Sequence, residues 1–245
     1  YEDGTQDCIC SDGSWKTASG PITFNSIRNG EYYDARLELP SWNESGYVQE
    51  GWQDAVVVRG SGGELRAAEV QPIRVMEELE PVSCYRTAEG HWIFDLGQNF
   101  AGKVRLMAYG PAGCEIILRY SEELTQDRQH VDQKHLSGFV RSGEFQTDRY
   151  RKKSGEPEEW TPQFVYHGFR YVEVEGLPEE LPGPCIKGLV MHTSFCRTGT
   201  FSCSDETLTV IQKLCHWSSI SNCQGVPTDC PHREKNAWTG DAGVV

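Results

Sequence analysis

Most of the chain shows short apolar runs or period-two alternation, the pattern of strands. In EYYDARLEL (31–39), Tyr33, Ala35, Leu37 and Leu39 share one side, which predicts a half-buried strand. DAVVVRG (54–60) is a β-branched run ending at a glycine. HWIFDLGQNFAGKVRLMAYGPAGCEIILRYSEEL (91–124) predicts three strands, with Gly97, Gly102, Gly110 and Gly113 marking turns or bulges. QFVYHGFRYVEVEG (163–176) and GPCIKGLVMHT (183–193) each add one. This rhythm predicts antiparallel β-sandwiches. Seams are expected near 60–70, which is glycine-rich and runs into Pro72, and near 176–200, after GLPEELPGP.

The period changes after Phe201. SDETLTVIQKLCHWSSISNCQ (204–224) offers Ser204 as an N-cap and two acids in the first turn. Leu208, Ile211, Leu214/Cys215 and Ser218 then recur at spacings of three and four. One helix is predicted, closed by Gly225 and Pro227. A lone helix cannot bury its apolar face by itself. It either packs on the preceding sheets or opens a helical domain, and both chain ends are expected to be cut.

Composition narrows the classes. At 245 residues, with 38% hydrophobic and 11% aromatic residues, the chain has material for one large or two smaller domains. The net charge of −13 disfavours nucleic acid and anionic membrane surfaces, and no apolar run is long enough to span a bilayer. A neutral substrate is compatible. Ten cysteines at irregular spacings, with one CxC pair and no CxxC, argue against a zinc ribbon. They are read as free thiols in the cytoplasm, with a secreted or periplasmic location left open because a leader could precede Tyr1.

The richest chemistry lies at PTDCPHREKNAWTGDA (227–242), which gathers Asp229, Arg233, Glu234, Trp238 and Asp241. If Glu234–Asp241 were helical, Glu234, Trp238 and Asp241 would share one face, with Asp229, upstream of Pro231, at an end or in a loop. Carboxylates beside a tryptophan suit a sugar site, with the ring stacking on the sugar and the acids binding hydroxyls. Spacing alone slightly favours an acidic surface loop around a core tryptophan, with Arg233 paired to an aspartate. His167 is expected to be a hydrogen-bonded structural histidine, and Gln98 and Asn99 to hold a tight turn. His130, Asp132 and His135 are read as an exposed loop and not as metal ligands. His232 is open between a pocket role and solvation. Cys230 is read as packing, its acidic flank disfavouring a thiolate.

The order Asp229, Cys230, Pro231, Arg233, Glu234, Trp238, Gly240, Asp241 resembles the signature D-C-P-x-R-[D]-E-x-x-x-W-x-G-D of bacterial α-L-rhamnosidases, the inverting enzymes of glycoside hydrolase family seventy-eight. GPITFNSIRNGEYYDARLELPSW (20–42), VQPIRVMEELEPVS (70–83), DLGQNFAGKVRLMAYGPAG (95–113), RYSEEL (119–124), WTPQFVYHGFRYVEVEGLP (160–178) and GTFSCSDETL (199–208) are similar to segments of the same family in the same order.

The resemblance implies a mainly β fold: antiparallel β-sandwich domains followed by the first helix of an (α/α)6 barrel. Residues 1–65 would be the end of an N-terminal sandwich, 66–180 a second sandwich and 195–245 the start of the catalytic barrel. It implies Glu234 as general acid, with Asp229, Arg233, Trp238 and Asp241 binding the sugar. It implies a rhamnose-containing glycoside or polysaccharide as substrate, and no cofactor or metal. The general base, about 6.5–9.5 Å away across the sugar, would lie beyond Val245, because residues 202–245 are far too few for twelve helices of about 12 residues each. The isolated chain is therefore expected to be inactive. The alternatives are a non-catalytic carbohydrate-binding sandwich and a metal- or thiol-dependent hydrolase. Aglycone, linkage, calcium binding and oligomeric state are not legible.

Overall fold

A computed structural model describes residues 1–60, 62–140, 143–238, 240 and 243. Among them the strands in chain order are β1 (Lys16–Thr17), β2 (Ile22–Ser26), β3 (Gly30–Asp34), β4 (Gln53–Asp54), β5 (Ile73–Leu79), β6 (Ser83–Arg86), β7 (Trp92–Ala108), β8 (Glu115–Ser121), β9 (Thr147–Arg151), β10 (Glu158–Trp160), β11 (His167–Glu175) and β12 (Ile186–Thr193), followed by one helix, α1 (Glu206–Ser221). β1 and β4 form a small ribbon. The other ten form one sheet in the order β2-β3-β9-β8-β11-β7-β12-β5, with β6 and β10 also paired to β7. Every pairing is antiparallel except β3 with β9. The fold is mainly β, as the alternation predicts.

β7 organises the sheet. One edge pairs with β11 over residues 92–102 and then with β10 over 106–108. The opposite edge pairs with β6 over 92–95 and with β12 over 102–106. Its second half alternates, so that Phe100, Val104, Leu106 and Ala108 enter the core. There they meet Ile116, Leu118 and Tyr120 of β8, Phe169, Val172 and Val174 of β11, and Ile186 and Val190 of β12. Phe169 packs between Phe100 and Tyr120, at centroid distances of 4.6 and 4.8 Å. Burying each such side chain contributes about 1.5–3 kcal/mol.

The structure corrects several expected elements. Residues 91–124 hold two strands and not three, because β7 runs through Gly102. Gly97 does mark a bulge. Phe169 faces Phe100 and Tyr171 faces Asp95, so two steps on β11 span five on β7. The excess is taken up at Gly97, whose φ of 74° suits glycine. Asp95 accepts the Gly97 N–H at 2.8 Å and a bidentate pair from Arg170, holding the bulge closed. Residues 31–39 are strand only to Asp34, whose side chain accepts the Arg36 N–H and starts a 3-10 turn over Ala35–Leu37. In 54–60 the pairing stops at Asp54, since β1 offers two residues, and Val56, Val57 and Val58 stay exposed.

The helix forms, but Asp205 is its N-cap in place of Ser204, accepting the Thr207 and Leu208 N–H groups at 2.8 and 3.3 Å. It lies against β7 and β12 through its C-terminal turns, burying Ile220 and Ser221 and packing Trp217 on the core. The apolar stripe does not face the sheet. Leu208, Ile211 and Leu214 are 50%, 49% and 64% exposed.

Candidate active site

The motif forms a pinched loop immediately after α1. Thr228 bridges Ala237 antiparallel, Asp229 N–H donates to the Asn236 carbonyl at 3.1 Å, and Trp238 N–H donates to the Pro227 carbonyl at 3.3 Å. Inside this neck the side chains of Asp229 and Cys230 replace regular backbone bonding. Asn236 N–H donates to Asp229 Oδ1 at 3.1 Å, Glu234 N–H donates to Cys230 Sγ at 3.2 Å, and the Cys230 thiol donates to Asp229 Oδ2 at 3.3 Å.

The expected helix over 234–241 is not present in the described part of that span. Lys235 has φ 55°, a left-handed conformation that costs about 1–2 kcal/mol and stops a helix. Glu234 and Trp238 therefore lie on either side of a break and not on one helical face, and Asp229 sits in the loop, at its neck. Trp238 is 53% exposed, so it is not a core anchor. Asp241 lies outside the described residues. Arg233 and Glu234 stay together, Nη2 to Oε1 at 3.8 Å, with 42% and 22% of their side chains exposed.

Cys230 does more than pack. It is buried, which pushes its thiol up, but hydrogen bonding to the sulfur, with the Glu234 N–H at 3.2 Å, outweighs burial, so its pKa is lowered. The acidic flank expected to disfavour a thiolate is overridden by this bonding. His232 is not solvated. It is 13% exposed at the side chain, with Nε2 3.6 Å from Glu122 Oε1. Glu122 in turn accepts from Asn99 Nδ2 at 2.9 Å, so Asn99 of the β7 bulge supports the loop indirectly.

Three residues that sequence reasoning missed fix the loop to the sheet. Arg28 donates from Nε to the Glu234 carbonyl and from Nη2 to Asn236 Oδ1, both at 3.1 Å. Lys235 Nζ donates to the Ile27 and Tyr166 carbonyls at 2.5 Å each and lies 4.5 Å from the Tyr166 ring centroid. Gly168 of β11 lies directly beneath Pro231 and His232. A Cβ there would stand 2.8 Å from Pro231 Cγ and 3.0 Å from His232 N. Gln146 grips Gly168 from the other side, accepting its N–H at 2.9 Å and donating to its carbonyl at 3.1 Å. Neither partner can yield easily, so Gly168→Ala should lift the loop and destabilise the chain by about 1–3 kcal/mol. Chemical denaturation measures this; unchanged stability would show that the loop does not rest on β11.

Beneath the loop lies a buried polar cluster. Asp148 accepts the Tyr120 hydroxyl at 2.7 Å, the Glu31 N–H at 2.8 Å and contact from His167 Nε2 at 3.1 Å. His167 is fully buried and stacked on Tyr120 at 4.3 Å, the structural role expected of it. Burial pushes its pKa down, against the pull of Asp148. Glu31 accepts the Gln163 and Phe164 N–H groups, and burial raises its pKa.

Burial also pushes Lys235 down to about 7, with Asp148 and Cys230 opposing. An unfolded lysine titrates near 10.5. Between pH 7 and 10 the unfolded chain therefore holds a proton at this residue that the folded chain has lost, so this contribution to stability rises with pH across that window. Lys235→Met removes it. The stability of wild type relative to Lys235→Met should increase from pH 7 to pH 10, read by urea denaturation at several pH values; a flat difference would refute the assignment.

A cavity of ≈ 810 Å³, lined by Tyr33, Trp42, Trp52 and Lys153 among others, shares no residue with the loop. The loop, with partly exposed carboxylates at Asp229 and Glu234 on a backbone fixed from two sides, is the better chemical candidate.

The α-L-rhamnosidase N-terminal domain model matches residues 1–77, the bacterial α-L-rhamnosidase concanavalin-like domain model matches 85–192, and the bacterial α-L-rhamnosidase six-hairpin glycosidase domain model matches 196–245. Curated relatives include an α-L-rhamnosidase of Formosa agariphila, 35% identical over 99% of this chain and 25% of its own length, and one of Streptomyces avermitilis, 36% identical over 100% and 23%. Among solved structures, the α-L-rhamnosidase from Dictyoglumus thermophilum superposes with TM-score 0.90 at 37% identity, covering 99% of this chain and 27% of that one. The Streptomyces avermitilis enzyme complexed with L-rhamnose superposes with TM-score 0.87 at 36% identity, covering 100% and 23%. The chain thus spans about a quarter of the length of the relatives it matches. With all three domain models of one family following each other along it, the chain belongs to the bacterial α-L-rhamnosidases.

Proposed function

We propose that this chain carries the acid half of an α-L-rhamnosidase site, acting on terminal α-L-rhamnosides in a glycoside or polysaccharide. Glu234 protonates the glycosidic oxygen as the bond to rhamnose breaks. Asp229 binds rhamnose hydroxyls with the lone pairs left over from its bonds to Asn236 and Cys230. Arg233 orients the acid, and Trp238 and Asp241 line the sugar pocket. The general base is a second carboxylate, supplied by a part of the protein outside these 245 residues and separated from Glu234 by a water.

The single observation that carries the reading is the fixing of Glu234. Its N–H is held by Cys230 and its carbonyl by Arg28, while its carboxylate keeps 22% exposure beside Arg233. An acid catalyst needs that combination of a rigid backbone and a reachable carboxyl group. The test is hydrolysis of an aryl α-L-rhamnoside by the protein at the length of its relatives, with the configuration of the first-formed rhamnose read by NMR. Inversion supports the reading. Retention, or no hydrolysis, overturns it.

A further inference from the structure

The structure places a second cluster of ligating groups on the β-sheet, remote in sequence from the motif. Glu89 lies in the turn between β6 and β7, His91 just before β7, and His130 in the segment between β8 and β9. One ligand atom from each lies within 4.8 Å of the others. His130 is drawn here and not toward Asp132, whose Oδ1 accepts the Lys134 N–H.

What distinguishes this cluster from a chance meeting of polar residues is Glu173 behind it. Glu173 is 2% exposed on β11. Its Oε1 faces Nδ1 of both rings, 2.7 Å from His91 and 3.1 Å from His130, and its Oε2 accepts the Val131 N–H at 2.9 Å. An imidazole that donates Nδ1–H to a carboxylate has its lone pair on Nε2 and its ring orientation fixed, as in metal sites whose histidines are held by a carboxylate behind them. The Nε2 of His130 does face Glu89, at 3.5 Å from Oε1. The opposing charge is Arg119, with Nη1 3.8 Å from Glu173 Oε1, and it is itself paired with Glu175 at 3.0 Å. The two supporting segments are already tied together. Ala88 N–H donates to Gln129 Oε1, and the Tyr85 hydroxyl donates to the Arg128 carbonyl, both at 2.8 Å.

We propose that Glu89, His91 and His130 form a binding site for a borderline divalent transition-metal cation of the zinc type, with Glu173 as the buried carboxylate that orients both imidazoles. Two imidazoles and one carboxylate are a ligand set suited to Zn²⁺, with a fourth position left to water. The ion would clamp the segment between β8 and β9 to the β6–β7 turn. That segment begins at Glu122, which faces His232 of the active-site loop, so the clamp would brace one side of that loop.

The test is titration of the 245-residue chain with Co²⁺, followed by visible absorption and by competition with Zn²⁺. The expected result is one equivalent showing d–d bands without thiolate-to-cobalt charge transfer, displaced by Zn²⁺. The ten thiols are the competing ligands, and the charge-transfer band reports them. Glu89→Gln, in an exposed turn, should weaken binding at least tenfold with an unchanged circular dichroism spectrum. Glu173→Gln should weaken it about 10–100-fold, and His91→Ala/His130→Ala should abolish it. Absence of d–d bands, binding with charge transfer, or binding that survives in the double variant would overturn the proposal.

Discussion

Glu234→Gln should slow hydrolysis of an alkyl α-L-rhamnoside by about 10²–10⁴-fold, while a nitrophenyl α-L-rhamnoside should lose far less. The argument rests on leaving groups. An alkoxide is a poor leaving group and needs a proton as the bond breaks. A nitrophenolate leaves with little help. The glutamine amide occupies the same volume as the carboxyl but has no proton to give. Its backbone contacts are unaltered, because Cys230 and Arg28 hold the main chain of residue 234 and not its side chain. The contrast between the two substrates therefore isolates proton donation from loop collapse. It is measured as kcat/KM for both substrates with the protein at the length of its relatives. Equal losses on the two would refute the acid assignment and point to a binding or structural role.

The second large effect is expected on stability. Asp148→Ala should destabilise the fold by about 3–5 kcal/mol, the range for removing one partner of a buried pair. Asp148 has no exposed surface, and it serves the Tyr120 hydroxyl, the Glu31 N–H and His167 at once. No water reaches these groups to replace it, and each orphaned donor adds its own desolvation cost. Asp148→Asn keeps one acceptor oxygen and should cost less than the alanine. Because the charge of Asp148 favours the ammonium form of Lys235, its removal should also loosen the anchor under the loop that carries Glu234. Urea denaturation gives the first number. A loss below about 1 kcal/mol for Asp148→Ala would mean that the cluster is not the support described.

Much of this architecture was legible in the sequence because periodicity reports burial. β11 and β12 fall inside the apolar runs at 163–176 and 183–193, and α1 falls within 204–224. Periodicity failed where a side chain took over from the backbone. Asp34 ends β3 by capping Arg36, Asp205 takes the cap from Ser204, and Asp229 and Cys230 fold the motif into a loop where spacing alone suggested a helix. The stripe of Leu208, Ile211 and Leu214 marked a helix correctly but not what the helix packs against.

The motif residues were readable as a set, since the family resemblance supplied them in order. Their supports were not. Arg28 lies 206 residues from Glu234, and a glycine such as Gly168 carries no periodic signal. Lys235 sits inside the motif but reads as a surface charge. The one available hint was local: a sulfur four residues ahead of Glu234 can accept its N–H across a single turn. His130 was weighed as a ligand only with Asp132 and His135 and set aside as loop, while His91 and Glu173, which it meets through the fold, stand at no spacing that points to them.

The unequal burial of α1 and the loop that follows it has a consequence for the order in which the molecule comes apart. The helix is held to the sheet through its last turns, where Ile220 and Ser221 are buried. The loop is tied to the β2–β3 turn and to β11 and the segment before it, by Arg28, Lys235 and Gly168. On warming, the first turns of the helix should fray while the segment bearing Glu234 stays in register. The thermal lifetime of the loop that carries Glu234 is then inherited from the β-sheet and not from the helix next to it in sequence, and substitutions meant to stabilise that loop belong in β11 and around Arg28.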